Sequence, residues 1–156
     1  MDRDALNCLL NKKLATERQI LYESYATHRK AVNEAPSPMQ SRYDTSRSEL
    51  SEVADALAER ISSIERLILC IQSLRGTRNI VQLGSILQVK ERNQEYYLFI
   101  VPDGAGGNNF VHEGMRIVTV APMSLIGKAV IGKEEGDEVE VTIPTGIKTL
   151  EIIAIR

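Results

Sequence analysis

The sequence predicts an α+β protein, with an N-terminal antiparallel coiled-coil helical hairpin over residues 1–76 and a C-terminal antiparallel β domain with one short helix over 77–156. Three observations carry this expectation. Residues 1–75 contain no glycine, whereas the remainder holds all 10 glycines and three of the five prolines. In the first part, Leu50, Leu57, Ile64 and Ile71 form one strict seven-residue series, and Ala54, Ile61 and Ile68 form another. That alternation of four- and three-residue spacings makes a coiled-coil seam. The second part instead shows short runs rich in β-branched residues, separated by glycine and proline.

A seam needs a partner, and the stretch from Asp4 to Asn33 supplies one. Leu6, Leu10, Leu14, Leu21, Tyr25 and Val32 form a weaker stripe, interrupted by Arg18 and His28. Pro36 ends this first helix, because the residue before a proline is pushed out of the α region. The turn of the hairpin falls at about 34–45. Two helix starts follow: Ser37-Pro38-Met39-Gln40 reads as a capping box with proline at the first helical position, and Ser46-Arg47-Ser48-Glu49 as another. Starting at the first sets Leu14 level with Leu57 and Leu21 with Leu50. Starting at the second shifts the pairing by about one heptad and brings Cys8 level with Cys70. Both bury leucine on leucine, so the register stays open.

Arg75-Gly76-Thr77-Arg78 forms the junction. Beyond it, strands are expected at Ile80–Lys90, Glu95–Val101, Met115–Ala121, Glu138–Ile143 and Ile147–Ile155, with a short helical turn over Ser124–Val130. Four or five strands and one helix suggest a compact antiparallel sheet wrapped on that helix.

Composition excludes several functions. No window approaches the roughly 18 apolar residues of a membrane span, and Met1-Asp2-Arg3-Asp4 does not open as a secretory leader, so no membrane partner and a cytoplasmic location are expected. A net charge of −2 gives no global field toward duplex nucleic acid. Two cysteines and two histidines, without zinc spacing, offer no metal site. Cys8 and Cys70 are expected to be buried free thiols. With 4% aromatic residues and no Trp, little is left with which to build a stacking platform for single strands. Asp103-Gly104-Ala105-Gly106-Gly107-Asn108-Asn109 lacks the following helix and the lysine of a phosphate loop and reads as a flexible β connection. His112 reads as a surface histidine and His28 as a partly buried helical one.

Ser124-Leu125-Ile126-Gly127-Lys128-Ala129-Val130-Ile131-Gly132-Lys133, followed by Glu134-Glu135-Gly136-Asp137-Glu138-Val139 and the hairpin Pro144-Thr145-Gly146, resembles the GreA/GreB transcript cleavage factors. Val81 to Val89, with Gly84-Ser85, is similar to that family's opening strand. The resemblance implies an FKBP-like C-terminal domain carrying a coiled-coil finger. It also implies a partner of RNA polymerase that is not itself an enzyme; Pro36 and Pro38, which interrupt what would otherwise be one continuous rod, favour an intramolecular hairpin and so a monomer. In that family the C-terminal domain grips the rim of the polymerase secondary channel and the finger reaches the catalytic centre. Met123, Ser124, Leu125 and Ile126 match the polymerase-facing loop. Leu125 stands where the family has proline, which removes a constraint on φ.

The family's tip carries an Asp-x-x-Glu pair that helps hold a second Mg²⁺ while polymerase cuts its own backtracked RNA. Here no such pair lies between Ala31 and Ser48; the candidate tip acids are Glu34 and Asp44. No cofactor of the chain's own is expected, and any Mg²⁺ would sit at the polymerase active site. Glu49, Glu52, Asp55 and Glu59 flank the seam among Arg60 and Arg66 and read as a solvated face. Arg29, Lys30, Arg42 and Arg47 oppose Glu34 and Asp44 and leave the tip with a local charge of +2, a patch suited to phosphates of an RNA 3′ end. Three functions follow: a polymerase-binding elongation factor that stimulates cleavage, a channel-occluding regulator that does not, and a coiled-coil adaptor unrelated to polymerase.

Overall fold

The computed structural model describes residues 3–35, 46–75, 79–144 and 146–156. The described chain is divided into two units, Asp2–Leu69 and, apart from Met1, Cys70–Arg156.

The first unit is built from α1 (Arg3–Glu34) and most of α2 (Ser46–Ser73). The expected stripe on α1 is the face removed from water: Leu6, Leu10, Leu14 and Val32 are buried, and Leu21 and Tyr25 are half-buried. Arg18 and His28, which interrupt it, are half-buried too. The His28 ring bonds the Ser24 carbonyl through Nδ1 at 2.8 Å. On α2 the two heptad series behave as one seam, with Ala54, Ile61, Ile64 and Ile71 buried and Leu50, Leu57 and Ile68 half-buried.

Polar contacts between the helices fix the register that the sequence left open. Arg60 pairs with Glu17 at 2.8 Å. Glu65 meets Arg18 at 3.6 Å and accepts a hydrogen bond from the Tyr22 hydroxyl at 3.0 Å. In the earlier register Arg60 would lie level with Asn11, and in the later with Arg18. Side chains lean toward the N-terminus of their own helix, so in an antiparallel pair a residue of α1 meets a partner displaced toward higher numbers. Arg60–Glu17 falls within one residue of the later register and both Glu65 contacts are displaced from it toward higher numbers, while all three lie further from the earlier register. The earlier start, Ser37–Gln40, lies outside the described residues. Both cysteines are free, but Cys8 is exposed and Cys70 half-buried, which corrects the expectation of buried thiols: each falls beside the seam instead of on it.

The second unit holds six strands, β1 (Ile86–Glu91), β2 (Gln94–Ile100), β3 (Asn109–His112), β4 (Met115–Val120), β5 (Glu138–Ile143) and β6 (Gly146–Ile155), with α3 (Leu125–Val130) between β4 and β5. Their order in the sheet is β3-β4-β2-β1-β6-β5. Four pairings are antiparallel and β2–β4 is parallel. The sheet is therefore mixed, unlike the wholly antiparallel sheet expected. Strand β3 escaped the sequence reading because its four residues are too few to show a period. Residues 80–85 form turns instead of the start of a strand. Gly84 adopts φ +89°, and a Cβ there would lie 3.2 Å from the Arg75 backbone, so this close approach requires glycine.

Leu87, Val89, Leu98, Ile100, Val120, Leu150 and Ile152 form the core of one sheet face, closed by Val130 of α3 with Ile126 and Ala129 packed beside it. Alternate residues Ile86, Tyr97, Phe99 and Ile117 are buried on the other face. No described helix is long and apolar enough to cross a membrane.

Candidate functional site

Because β2 and β4 are parallel neighbours, with Ile100 opposite Val120, the chain leaves both strands at the same end of the sheet. The loops after them, 101–108 and 121–124, consequently lie side by side. Thr119 organises the first. Its buried hydroxyl donates to the Ala105 carbonyl at 3.0 Å and accepts from the Asn108 N–H at 2.9 Å. Its own backbone N–H donates to the Asn108 carbonyl at 2.8 Å, and its carbonyl accepts from Gly107 N–H at 2.8 Å. The Asn108 amide adds a bond to the Ala105 carbonyl at 2.9 Å, and Ala105 is fully buried. The segment read as a flexible connection is thus a pinned loop, whose buried polar groups all find partners.

The second loop is held as firmly. The Ser124 hydroxyl donates to the Ala121 carbonyl at 2.7 Å and, as the N-cap of α3, accepts from Gly127 N–H at 3.0 Å. Met123 N–H donates to Asp103 Oδ1 at 3.3 Å and ties the two loops together. Two glycines allow the loops and α3 to close on each other. A Cβ on Gly106 would lie 2.8 Å from Ala121 N, and one on Gly127 would collide with the Ala121 carbonyl oxygen.

Between these parts opens a cleft of about 440 Å³, lined by Gly106, Val118, Ala121, Leu125, Ile126 and Ile143 among others. Three of the four sequence-derived docking residues, Ser124, Leu125 and Ile126, line it. Met123 stands exposed in the loop leading to Ser124, with 66% of its surface open against 57% for Leu125. Among the described residues no titratable one lines the cleft, so it suits apolar contact rather than bond chemistry. Sequence reasoning missed Gly106, Ala121 and Ile143; the crowding of glycines at 104–107 signals close backbone approach and could have pointed to the first two.

At the hairpin tip, Arg29, Lys30, Glu34 and Arg47 are all exposed. Lys30 Nζ lies 3.8 Å from Glu34 Oε1, an exposed pair of little energetic weight. Asp44 and Arg42 lie outside the described residues. Glu49, Glu52, Asp55 and Glu59 are exposed, as a solvated face should be. Among the described residues no group of three or more His, Cys, Asp or Glu side chains could hold a metal ion.

The family described as "Transcription elongation factor, GreA/GreB, C-term" matches residues 77–156, the stretch that contains the sheet, α3 and the cleft. The chain belongs to the GreA/GreB family. Its factors act with RNA polymerase and are not enzymes themselves. The transcription elongation factor GreA of Clostridium acetobutylicum is 30% identical over 153 residues, covering 93% of this chain and 91% of its own. The transcription inhibitor protein Gfh1 of Thermus aquaticus is 26% identical over 149 residues, 94% of this chain and 90% of its own. Among solved structures, that of GreA factor homolog 1 from Thermus thermophilus is similar with a TM-score of 0.40 at 20% identity, over 94% of both chains.

Proposed function

We propose that this chain is a monomeric elongation regulator that docks on RNA polymerase through the cleft around Met123–Ile126 and places its helical hairpin in the secondary channel, where it obstructs access without promoting RNA cleavage. The docking part is supported by one observation above all: the family's polymerase-facing positions fall around a single apolar cleft whose walls are pinned by hydrogen bonds. A preformed surface of this kind loses little conformational entropy on binding. Burial of what remains exposed of Met123 and Leu125 against a partner would contribute about 1–2 kcal/mol each.

The tip chemistry supports obstruction over cleavage. Holding a second Mg²⁺ takes carboxylate oxygens a few ångströms apart. No Asp-x-x-Glu lies between Ala31 and Ser48, and Glu34 has Lys30 beside it. The relative Gfh1, named a transcription inhibitor, aligns over nearly the whole chain. Obstruction needs only a rod of sufficient reach, and α1, with 32 residues, extends about 48 Å at 1.5 Å per residue.

The test uses purified polymerase, halted and backtracked. The full chain should co-purify with polymerase and slow nucleotide addition while leaving the intrinsic cleavage rate unchanged. Leu125→Asp and Met123→Asp should abolish both retention and slowing; retention undiminished in both variants would refute the docking surface. Shortened RNA that disappears with Asp44→Ala would overturn the obstruction reading and restore the cleavage one.

A further inference from the structure

The opposite end of the central strands carries a second cavity with different chemistry. The turn between β1 and β2, the start of β4 and the start of β6 meet there around about 470 Å³, lined by Arg92, Arg116, Lys148, Glu91, Asn93 and Gln94. Three cations face one carboxylate. We propose that this cavity binds a small polyphosphate, the chemistry shared by inorganic pyrophosphate and the phosphate chain of a nucleotide.

The carboxylate is already engaged. Lys148 Nζ lies 2.9 Å from Glu91 Oε1 and 3.1 Å from Oε2, and Oε2 also accepts the Tyr96 hydroxyl at 3.0 Å. This neutralises Glu91 and leaves two guanidinium groups as the excess charge. Arg116 is oriented by the Tyr96 ring, whose centroid lies 5.8 Å away, and by Asn109 Oδ1 at 3.3 Å. Among the described residues neither Arg92 nor Arg116 has an ion-pair partner within 4.0 Å. Arg92 also holds φ +54°, a conformation that glycine or asparagine adopts more readily. Glu113 shares it at φ 52°, but does not line the cavity. At Arg92 that φ belongs to the two-residue hairpin turn, which holds the exposed Arg92 side chain at the edge of the cavity.

Geometry narrows the ligand class. Guanidinium forks match phosphate oxygens in pairs, and the side-chain amides of Asn93 and Gln94 add donors. A neighbouring cavity of about 410 Å³ shares Glu91, Arg92 and Lys148 and adds Lys90, Glu138 and Glu151; its three carboxylates balance its three cations, so the excess positive charge lies on the Arg116 side. This arrangement fits one compact anion rather than an extended nucleic-acid strand, which would need a continuous cationic track. Tyr96, the aromatic residue beside the cavity, is buried, so no exposed ring is offered to a base and recognition rests on the phosphates.

Calorimetric titration of the full chain with inorganic pyrophosphate and tripolyphosphate at low salt tests this. The expected result is saturable binding with Kd below about 1 mM, weakened at least ~10-fold by Arg92→Asn, which suits the turn and preserves the fold, and by Arg116→Gln. Lys133→Gln, at an exposed cation remote from the cavity, should change nothing. No saturable binding up to about 10 mM would overturn the proposal. So would equal loss in the Lys133 variant, which signals diffuse charge, or binding of a short single-stranded RNA without binding of pyrophosphate.

Discussion

Replacing Gly127 by alanine tests the architecture of the cleft most directly. The added methyl would overlap the Ala121 carbonyl oxygen and lie 2.9 Å from the Pro122 carbonyl oxygen. Neither atom is free to move, because Ala121 O accepts from both the N–H and the hydroxyl of Ser124. Relieving the overlap requires α3 to shift away from the loop. Overpacking of this kind costs about 1–3 kcal/mol, and loss of the Ser124 cap adds about 1 kcal/mol. The higher helix propensity of alanine returns up to about 1 kcal/mol. The net loss is about 1–3 kcal/mol, which lowers the urea midpoint by on the order of 1 M. Urea unfolding followed by far-ultraviolet circular dichroism measures it, and polymerase retention should fall in parallel as the cleft opens. A midpoint equal to or above that of the parent would show that α3 and the 121–122 turn are not in contact as described.

Three further outcomes follow from the ion-pair cluster and the seam. The Glu91 carboxyl is held below its ordinary value of 4.5, chiefly by the hydrogen bond from Lys148 and also by that from Tyr96, against the opposing effect of burial. A carboxyl lowered on folding stabilises the protein above its unfolded pKa, and the contribution disappears as pH falls through the folded one. Thermal melts of the parent and Glu91→Gln should therefore differ at pH 7, and the difference should shrink as pH falls below the ordinary carboxylate value and through the lowered one; a difference that stays constant through acid would contradict the ion pair. In the seam, Ile64→Ala removes a fully buried side chain and should cost about 2–5 kcal/mol. Sedimentation velocity should find a monomer before and after Leu57→Asp, and a stable dimer that only the variant dissociates would mean the seam closes between chains.

The helical half was largely legible because heptad spacing is a long, repeated signal: seven positions of α2 agree on one face, and the α1 stripe supplies the other. Its register was not, since leucines recur at heptad intervals and either offset pairs them. Only side chains that reach across, Glu17 with Arg60 and Tyr22 with Glu65, distinguish the offsets. In the second half, strands of six residues or more announced themselves, and four-residue β3 did not. The parallel pairing of β2 with β4 depends on where β3 folds back, a non-local choice with no local signature. The candidate docking positions were picked out by a sequence motif, whereas the Asp103–Asn108 loop beside them was misjudged, because glycine content suggests freedom and the hydrogen bonds of Thr119 remove it. The Arg92–Arg116 cavity left no trace in the sequence, since its cations come from one turn and two strands far apart in the chain.

The order of the strands also decides how the sheet meets other molecules. Its two margins are β3, four residues long, and β5, whose outward side chains include Glu138 and Glu140. A short margin and an acidic one both discourage strand-to-strand addition by a second chain. Polymerisation through the backbone is thus disfavoured at either border, while the loops at the ends of the strands stay available for selective contacts.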